Sequence, residues 1–247
     1  MKIPFTKNSF DFDLLILGSG TAGSIAAHYA RSLNKRVAIC EAETIGGESP
    51  NTTGIPIKTF AHTGNIRQTI LHAEKYGISV DKPTLHIQTL QHWKQNVIAK
   101  SELRHGTKSF TSAGITVIPH NAYFVSPHEI IAGEEKYSSA KILIATGTRP
   151  LIPPIPGLVE AGFYTYKNIL EIQSLPSSLV IFGGGETSCE LAQLFANMGT
   201  KVTIVTRSNS LLHNQENEIR ALIQKIFIQQ NINVITDAEV VKIEKKF

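Results

Sequence analysis

One stretch of this chain is written twice, and that repeat limits the fold more than any other feature. The segment "FDLLILGSGTAG" and the segment "SSLVIFGGGETS" each run a short apolar stretch into clustered glycines. Laid over one another at an offset of 165 residues, Gly18 falls on Gly183, Gly20 on Gly185 and Gly23 on Ser188. Further on, "NKRVAICE" falls on "GTKVTIVT", with Glu41 on Thr206. An unbroken apolar run of this length reads as a strand buried on both faces of a parallel sheet. The Ala-rich residues from Ser24 to Leu33 read as a helix and "KRVAICE" as the next strand, which makes a β-α-β unit. Two such units predict two related nucleotide-binding domains in series.

The glycine spacing has a chemical reason. In G-x-G-x-x-G the first glycine permits a tight turn, the second lets a pyrophosphate approach the backbone, and the third lets helix and strand pack closely. The helix start then points free N–H groups and a partial positive charge at the phosphate. In the first copy Gly18, Gly20 and Gly23 occupy these places, and Glu41 stands where a carboxylate accepts hydrogen bonds from ribose hydroxyls. The second copy keeps Gly183 and Gly185 but departs twice. Ser188 replaces the third glycine, and Thr206 replaces the acid and is followed by Arg207. Without a carboxylate a 2′-phosphate is not repelled, and Arg207 is placed to pair with it. That leans toward NADP and leaves NAD open. Arg207 as an ordinary solvated cation is the competing reading.

From Lys58 to about Gly114 the pattern is helical, and residues from about 115 to 140 alternate β-branched runs with turn residues, as in a strand meander. "TRPLIPPIPGL" concentrates four prolines in a rigid, extended crossing. Domains are therefore expected at 1–150 and 151–247. A hydrophobic content of 42% suffices for a substantial core. The net charge of +4 is not gathered into a basic stripe with interleaved aromatics, so nucleic acid is not expected as a partner. Cys40 and Cys189 are the only cysteines, far apart and outside any Cys-x-x-Cys, which argues against a disulfide framework and for a reducing compartment. The histidines fall at no metal-ligand spacing, and no metal site is expected. Asp11 and Asp13 abut the first apolar run, which speaks against a leader peptide, and no window is long enough for a membrane span. The expected location is the cytoplasm.

Two fingerprints separated by a helical stretch, a strand meander and "LIATGTRP" resemble the pyridine nucleotide–disulfide oxidoreductases, with "AYFVSPHEI" most like the mercuric-reductase branch. The resemblance implies an α/β fold of two Rossmann-like dinucleotide-binding domains, FAD on the first fingerprint and NAD or NADP on the second. It assigns Gly18, Gly20, Gly23 and Glu41 to the FAD pyrophosphate and ribose, and Gly47, Lys58, Ala122, Thr146 and Gly147 to the flavin site. It also implies a loop of the form GG-x-C-x-N-x-x-C-x-P-x-K carrying a redox-active disulfide. Residues 46–58 read GGESPNTTGIPIK. Gly46, Gly47, Asn51, Pro56 and Lys58 keep the frame, of which the resemblance implies that Gly47, Asn51 and Lys58 touch the flavin, while Ser49 and Gly54 stand at the cysteine positions.

A disulfide accepts two electrons through thiolate exchange, which a serine hydroxyl and a glycine hydrogen cannot reproduce. The family's lysine–glutamate pair beside the flavin corresponds to Lys58 and Glu190. By the same resemblance the chain stops about half-way, leaving the second domain incomplete and the dimerisation domain absent. Two functions are therefore expected to compete. One is an NAD(P)H oxidoreductase that passes hydride to flavin and on to a small, non-disulfide electron acceptor. The other is a truncated or degenerate nucleotide-binding module, self-associated or completed by a second chain.

Overall fold

A computed structural model of the chain describes residues 10–245. The first residues of the reading against a leader peptide, and the outer ends of the two expected domains, lie outside the described residues. The chain runs through β1 (Leu14–Leu17), α1 (Thr21–Ser32), β2 (Val37–Cys40), α2 (Glu48–Asn51), α3 (Gly54–Leu71) and α4 (Ile87–His105). It continues with α5 (Thr107–Ser112), β3 (Thr116–Ile118), β4 (Ala122–Ser126), β5 (Glu129–Ala132), β6 (Glu135–Ser138) and β7 (Ile142–Ile144). The last part holds α6 (Leu158–Ala161), β8 (Ser178–Phe182), α7 (Glu186–Met198), β9 (Lys201–Val205), α8 (Asn217–Gln229) and β10 (Asn233–Ile235). Two compact units result. One joins the chain up to Gly54 with Val97–Arg149, the other joins Ile55–Asn96 with the chain from Pro150 onward.

In the first unit a parallel sheet has the order β3-β2-β1-β7, with Leu17 level with both Cys40 and Ile144. Both faces of β1 and β2 are covered, which is why their sequences are apolar without alternation. Ile16, Val37 and Ile39 pack with Ala27 and Ala30 of α1 and with Phe110 and Ile115. On the other face Leu15, Leu17, Ala38, Cys40 and Ile118 pack with Ile130 and Ala132 from the antiparallel sheet β4-β5-β6. The meander expected from residue 115 thus begins later. β3 belongs to the parallel sheet, its Thr116 level with Ala38, because Ile118 is buried against the same layer as Cys40.

The second unit repeats the plan with a parallel sheet β10-β9-β8. Val202 and Ile204 of β9 are buried with Leu191, Leu194, Phe195 and Met198 of α7 and Phe227 of α8. The same core takes in Ile57 and Phe60 of α3 and Ile87 and Leu90 of α4. Residues 55–96 therefore group with this unit, whereas the sequence assigned the helical segment to the first domain. Their continuity is also less than expected. A short 3-10 turn at Ala73–Tyr76 ends on Gly77 at φ +78°, and residues up to His86 are not helical.

Polar contacts fix α3 and α4 in place. The Arg67 guanidinium and the Gln68 amide each donate to the Asn197 carbonyl near the C-terminal end of α7, both at 3.0 Å. Lys94 is buried and donates to the Leu170 carbonyl (3.1 Å) and to Glu171 (2.5 Å). Where α3 passes α7 the residue is Gly64, and a Cβ there would stand 3.1 Å from the Asn197 Cβ. Among the described residues the opposite face of the β8–β10 sheet has no such cover. Val180 (56%), Phe182 (39%) and Ile235 (43%) are exposed on it.

Gly64→Leu is expected to lower stability by about 1–3 kcal/mol, the usual cost of forcing volume into a close helix contact. A urea unfolding midpoint unchanged from the wild type would refute this packing.

Candidate dinucleotide sites

The first glycine motif sits where three strand ends meet. Gly18 follows β1 at φ +102°, and its N–H donates to the Cys40 carbonyl at 2.8 Å. The Ala145 N–H donates to the Leu17 carbonyl, also at 2.8 Å. A Cβ on Gly18 would lie 2.2 Å from the Ala145 carbonyl oxygen and 3.2 Å from the Thr146 Cα. The Ala145-Thr146-Gly147 segment is thus pressed against the first fingerprint. A Cβ on Gly23 would lie 1.9 Å from the Gly18 carbonyl oxygen, so the third glycine seats α1 on the turn.

Gly20 is different in kind. Its φ is −63°, open to any residue, and a Cβ there would meet no protein atom within 4 Å. Neither backbone strain nor internal packing calls for a glycine at this point. The remaining reason is a group from outside the chain that must reach the backbone. α1 starts there with no acidic residue in its first turn, so its free N–H groups face that space uncompensated. Gly18, Gly20, Gly23 and the start of α1 fit a pyrophosphate.

Glu41 lies just past β2, half-buried. One carboxylate oxygen, Oε2, accepts from the Ser19 N–H (2.9 Å) and the Ser19 hydroxyl (2.6 Å). The other, Oε1, accepts from the Glu43 N–H (3.0 Å). Burial opposes ionisation of Glu41, but the Ser19 hydroxyl and the N–H groups of Glu43, Ser19 and Ala42 together hold its pKa below the ordinary carboxylate value. Ser19 is fully buried, and its oxygen also accepts from the Gly46 N–H at 2.8 Å. Sequence reading missed Ser19, which fills a variable place in the motif. A small hydroxyl side chain there was the available signal.

The loop frame of residues 46–58 is likewise built on backbone. Gly47 has φ +69°, and a Cβ on it would stand 2.6 Å from the Gly20 Cα. The Asn51 amide nitrogen donates to the Ile45 (3.0 Å) and Gly47 (2.7 Å) carbonyls. Asn51, expected among the cofactor residues, therefore holds the loop's shape through its amide. Ser49 ends close to Gly54: a Cβ at Gly54 would be 2.6 Å from the Ser49 Oγ. The two cysteine positions of the frame are in mutual reach with no sulfur at either. Burial pushes the Cys40 thiol up to about 11. Burial, with the Glu186 charge adding to it, does the same to Cys189, and neither is a replacement nucleophile. Ala122 opens β4 and packs beside Cys40 and Ile118, at the same strand ends as Glu41.

At the second motif Gly183 has φ +112°, and a Cβ on Gly185 would again meet nothing within 4 Å. Ser188 is accommodated, its Oγ 3.3 Å from where a Gly183 Cβ would be. Thr206 is buried and its hydroxyl accepts from the Ser208 N–H at 3.2 Å. The Arg207 side chain is 83% exposed, with a 4.0 Å contact to Glu239 among the described residues. Such surface pairs contribute little and leave the guanidinium available. Behind that loop Arg220 donates to the Ser210 hydroxyl (3.0 Å) and to Asn217, while its Nε is buried without a partner. Unlike α1, α7 carries an acid, Glu186, in its first turn. Lys58 and Glu190 stand on α3 and α7, toward the N-terminal ends of both helices. Their expected ion pair is not formed among the described residues; both side chains are exposed, where solvent weakens the attraction.

The sequence matches the family described as pyridine nucleotide-disulphide oxidoreductase over residues 12–246. The chain belongs to this family. It is 30% identical over 239 residues to a mercuric reductase of Bacillus cereus, covering 97% of this chain and 38% of that protein. With a dihydrolipoyl dehydrogenase of Mycoplasma pneumoniae it is 32% identical over 238 residues, covering 94% of this chain and 52% of that one. Among solved structures, the HOCl-induced flavoprotein disulfide reductase RclA from Escherichia coli superposes with a TM-score of 0.80 at 28% identity. That match covers 93% of this chain and 50% of RclA. The chain thus spans about half or less of the length of these relatives. Members of this oxidoreductase family are flavoproteins that use FAD and a pyridine nucleotide. Among the described residues no helix is long and apolar enough to cross a membrane, and no cluster of His, Cys, Asp and Glu could hold a metal ion.

The double variant Ser49→Cys/Gly54→Cys is expected to close a disulfide in air, since the second sulfur would be carried within bridging distance of the first. Thiol titration should then count no more free thiols than in the wild type. Two additional titratable thiols would show that the loop does not hold this geometry.

Proposed function

We propose that the chain binds FAD at the first fingerprint and NADPH, or NADH, at the second, as a flavin-dependent NAD(P)H oxidoreductase whose final acceptor is not a disulfide. The observation that carries this reading is the contrast inside one loop. Gly47 and Asn51 still shape the backbone around Gly20, while the positions of Ser49 and Gly54 hold no sulfur. Bound flavin would supply two-electron acceptance from a reduced nicotinamide and its onward release. Gly18, Gly20, Gly23 and the start of α1 hold the pyrophosphate, and Glu41 holds the ribose. Ala122, Thr146, Gly147 and Gly47 border the remainder. Lys58 offers positive charge to a reduced, anionic ring, with Glu190 to orient it. Gly183, Gly185 and Arg207 hold the nicotinamide cofactor, Arg207 favouring a 2′-phosphate. The acceptor is a small molecule such as a quinone, a second nicotinamide or oxygen, and the working compartment is the cytoplasm.

A second reading has its own support. Glu186 places negative charge at the helix start where a pyrophosphate would bind, and the apolar face of β8–β10 lies open. Parallel sheets are normally covered on both faces. Both features fit a module that turns over slowly or not at all until another copy or a second chain covers that face.

Purified chain incubated with FAD is expected to retain yellow colour through desalting and to bleach when NADPH is added without oxygen. Colourless protein would sink the oxidoreductase reading. Glu186→Gln should tighten NADPH binding about twofold to fivefold by removing a like charge at the helix start, the size of one helix-dipole interaction. Arg207→Ala should weaken NADPH about tenfold or more and leave NADH unchanged, as expected for a charge-assisted pair. Equal loss for both nucleotides would contradict a 2′-phosphate role.

A further inference from the structure

We propose that the buried Ser19 hydroxyl is a positioning residue that ties two functional segments together, the ribose-binding Glu41 and the loop that begins at Gly46. A serine oxygen has one proton to give and two lone pairs. Here the proton goes to Glu41 Oε2 at 2.6 Å, and one lone pair takes the Gly46 N–H at 2.8 Å. Ser19 is 0% exposed, so water cannot replace either bond. Its own N–H adds a second bond to the same carboxylate oxygen. With Oε1 accepting from Glu43, the carboxylate is fixed in rotation and keeps lone pairs for a ribose diol.

On the loop side, the Gly46 bond stands one residue before Gly47, whose backbone makes the closest approach to Gly20. Ser19 lies between Gly18 and Gly20 in the chain. A single side chain therefore sets the spacing between fingerprint, acid and loop. An alanine at this place would strand the Gly46 N–H without a partner and remove one donor from a carboxylate that burial already disfavours. The titratable groups beside Glu41 in its own segment are Cys40 and Glu43, and α1 brings no acid in its first turn.

The sign of the pH effect follows. Glu41 has a depressed pKa, so what its charge contributes is present above the ordinary carboxylate range and is lost as pH falls through the lowered value. Removing the Ser19 donor raises that pKa, and the loss then begins at higher pH.

The test has two arms, of which the first rests on FAD occupying the first fingerprint and the second does not. In the first, flavin fluorescence titration compares wild type with Ser19→Ala at pH 7.5 and pH 5. The FAD Kd is expected to rise about tenfold at pH 7.5, as for loss of a hydrogen bond to a charged group, and by a larger factor at pH 5. A general loss of stability would not move the pH profile in this direction. In the second arm, Ser19→Ala is added to the Ser49→Cys/Gly54→Cys variant, and the fraction oxidised is read across glutathione redox buffers. The disulfide is expected to become easier to reduce by roughly fivefold in equilibrium constant, because the loop has lost an anchor. Wild type that binds no FAD while the disulfide still shifts would defeat the flavin reading and leave the relay standing. An unchanged Kd ratio or an unchanged disulfide equilibrium would overturn the relay. Should Ser19→Ala not fold, Ser19→Cys, a weaker donor of similar size, must give losses of the same sign in both arms.

Discussion

The approach of Gly47 to Gly20 governs the arrangement of the first unit. A Cβ on Gly47 would stand 2.6 Å from the Gly20 Cα, so this approach requires glycine at position 47. On one side the fingerprint is backed by Ala145 and by the carbonyl of Cys40, which fix Gly18. On the other, the Asn51 amide draws the Ile45 and Gly47 carbonyls together. Ser19 joins the two sides through Gly46 and Glu41. The hydrogen bonds among these join buried or half-buried groups, where a missing partner costs more than the bond itself contributes.

This arrangement gives a physical account of how the loop keeps its frame without its sulfurs. A redox disulfide needs two cysteines at one spacing, but the surrounding glycines and asparagine answer to a different demand. They hold the loop against the nucleotide fingerprint whether or not Ser49 and Gly54 carry sulfur. None of the bonds at Gly46, Gly47 and Asn51 uses the side chain of Ser49 or Gly54. Loss of Gly47 would be another matter, because any Cβ there collides with Gly20 backbone.

The β-α-β units were legible because burial on both sheet faces leaves a continuous apolar run, and because the glycine spacing has few other uses. Gly20 was read as a ligand position from the glycine spacing, and nothing inside the chain requires glycine there. Ser19 was not legible. Its role comes from two partners, at Glu41 and Gly46, that folding brings together from outside its own turn. The grouping of α3 and the first half of α4 with the second unit was hidden in the same way. Gly64 in mid-helix costs about 1 kcal/mol against alanine. Its compensation, close passage of α7 at Asn197, lies far along the chain. The Lys58–Glu190 pair comes from resemblance alone. Residue identities carried over by resemblance did place the two side chains on neighbouring helices, but an ion pair between exposed groups has too little net energy to be guaranteed by identity alone.

The two fingerprints differ in a way that bears on chemistry. The first offers an anion uncompensated N–H groups and holds its acid, Glu41, away from the helix start on Ser19 and Glu43. The second offers an exposed arginine in place of the acid and sets a glutamate at the helix start. Glu186 is itself favourable to α7, since negative charge at a helix N-terminus is stabilised by the dipole. A bound pyrophosphate would use the same dipole and would have to share it with that carboxylate. Stability of the free helix and affinity for the nucleotide thus pull in opposite directions at one residue, and only the first unit is free of that conflict. The asymmetry makes the first motif the better prepared anion site and leaves the second with an exposed arginine, Arg207, as its added positive charge.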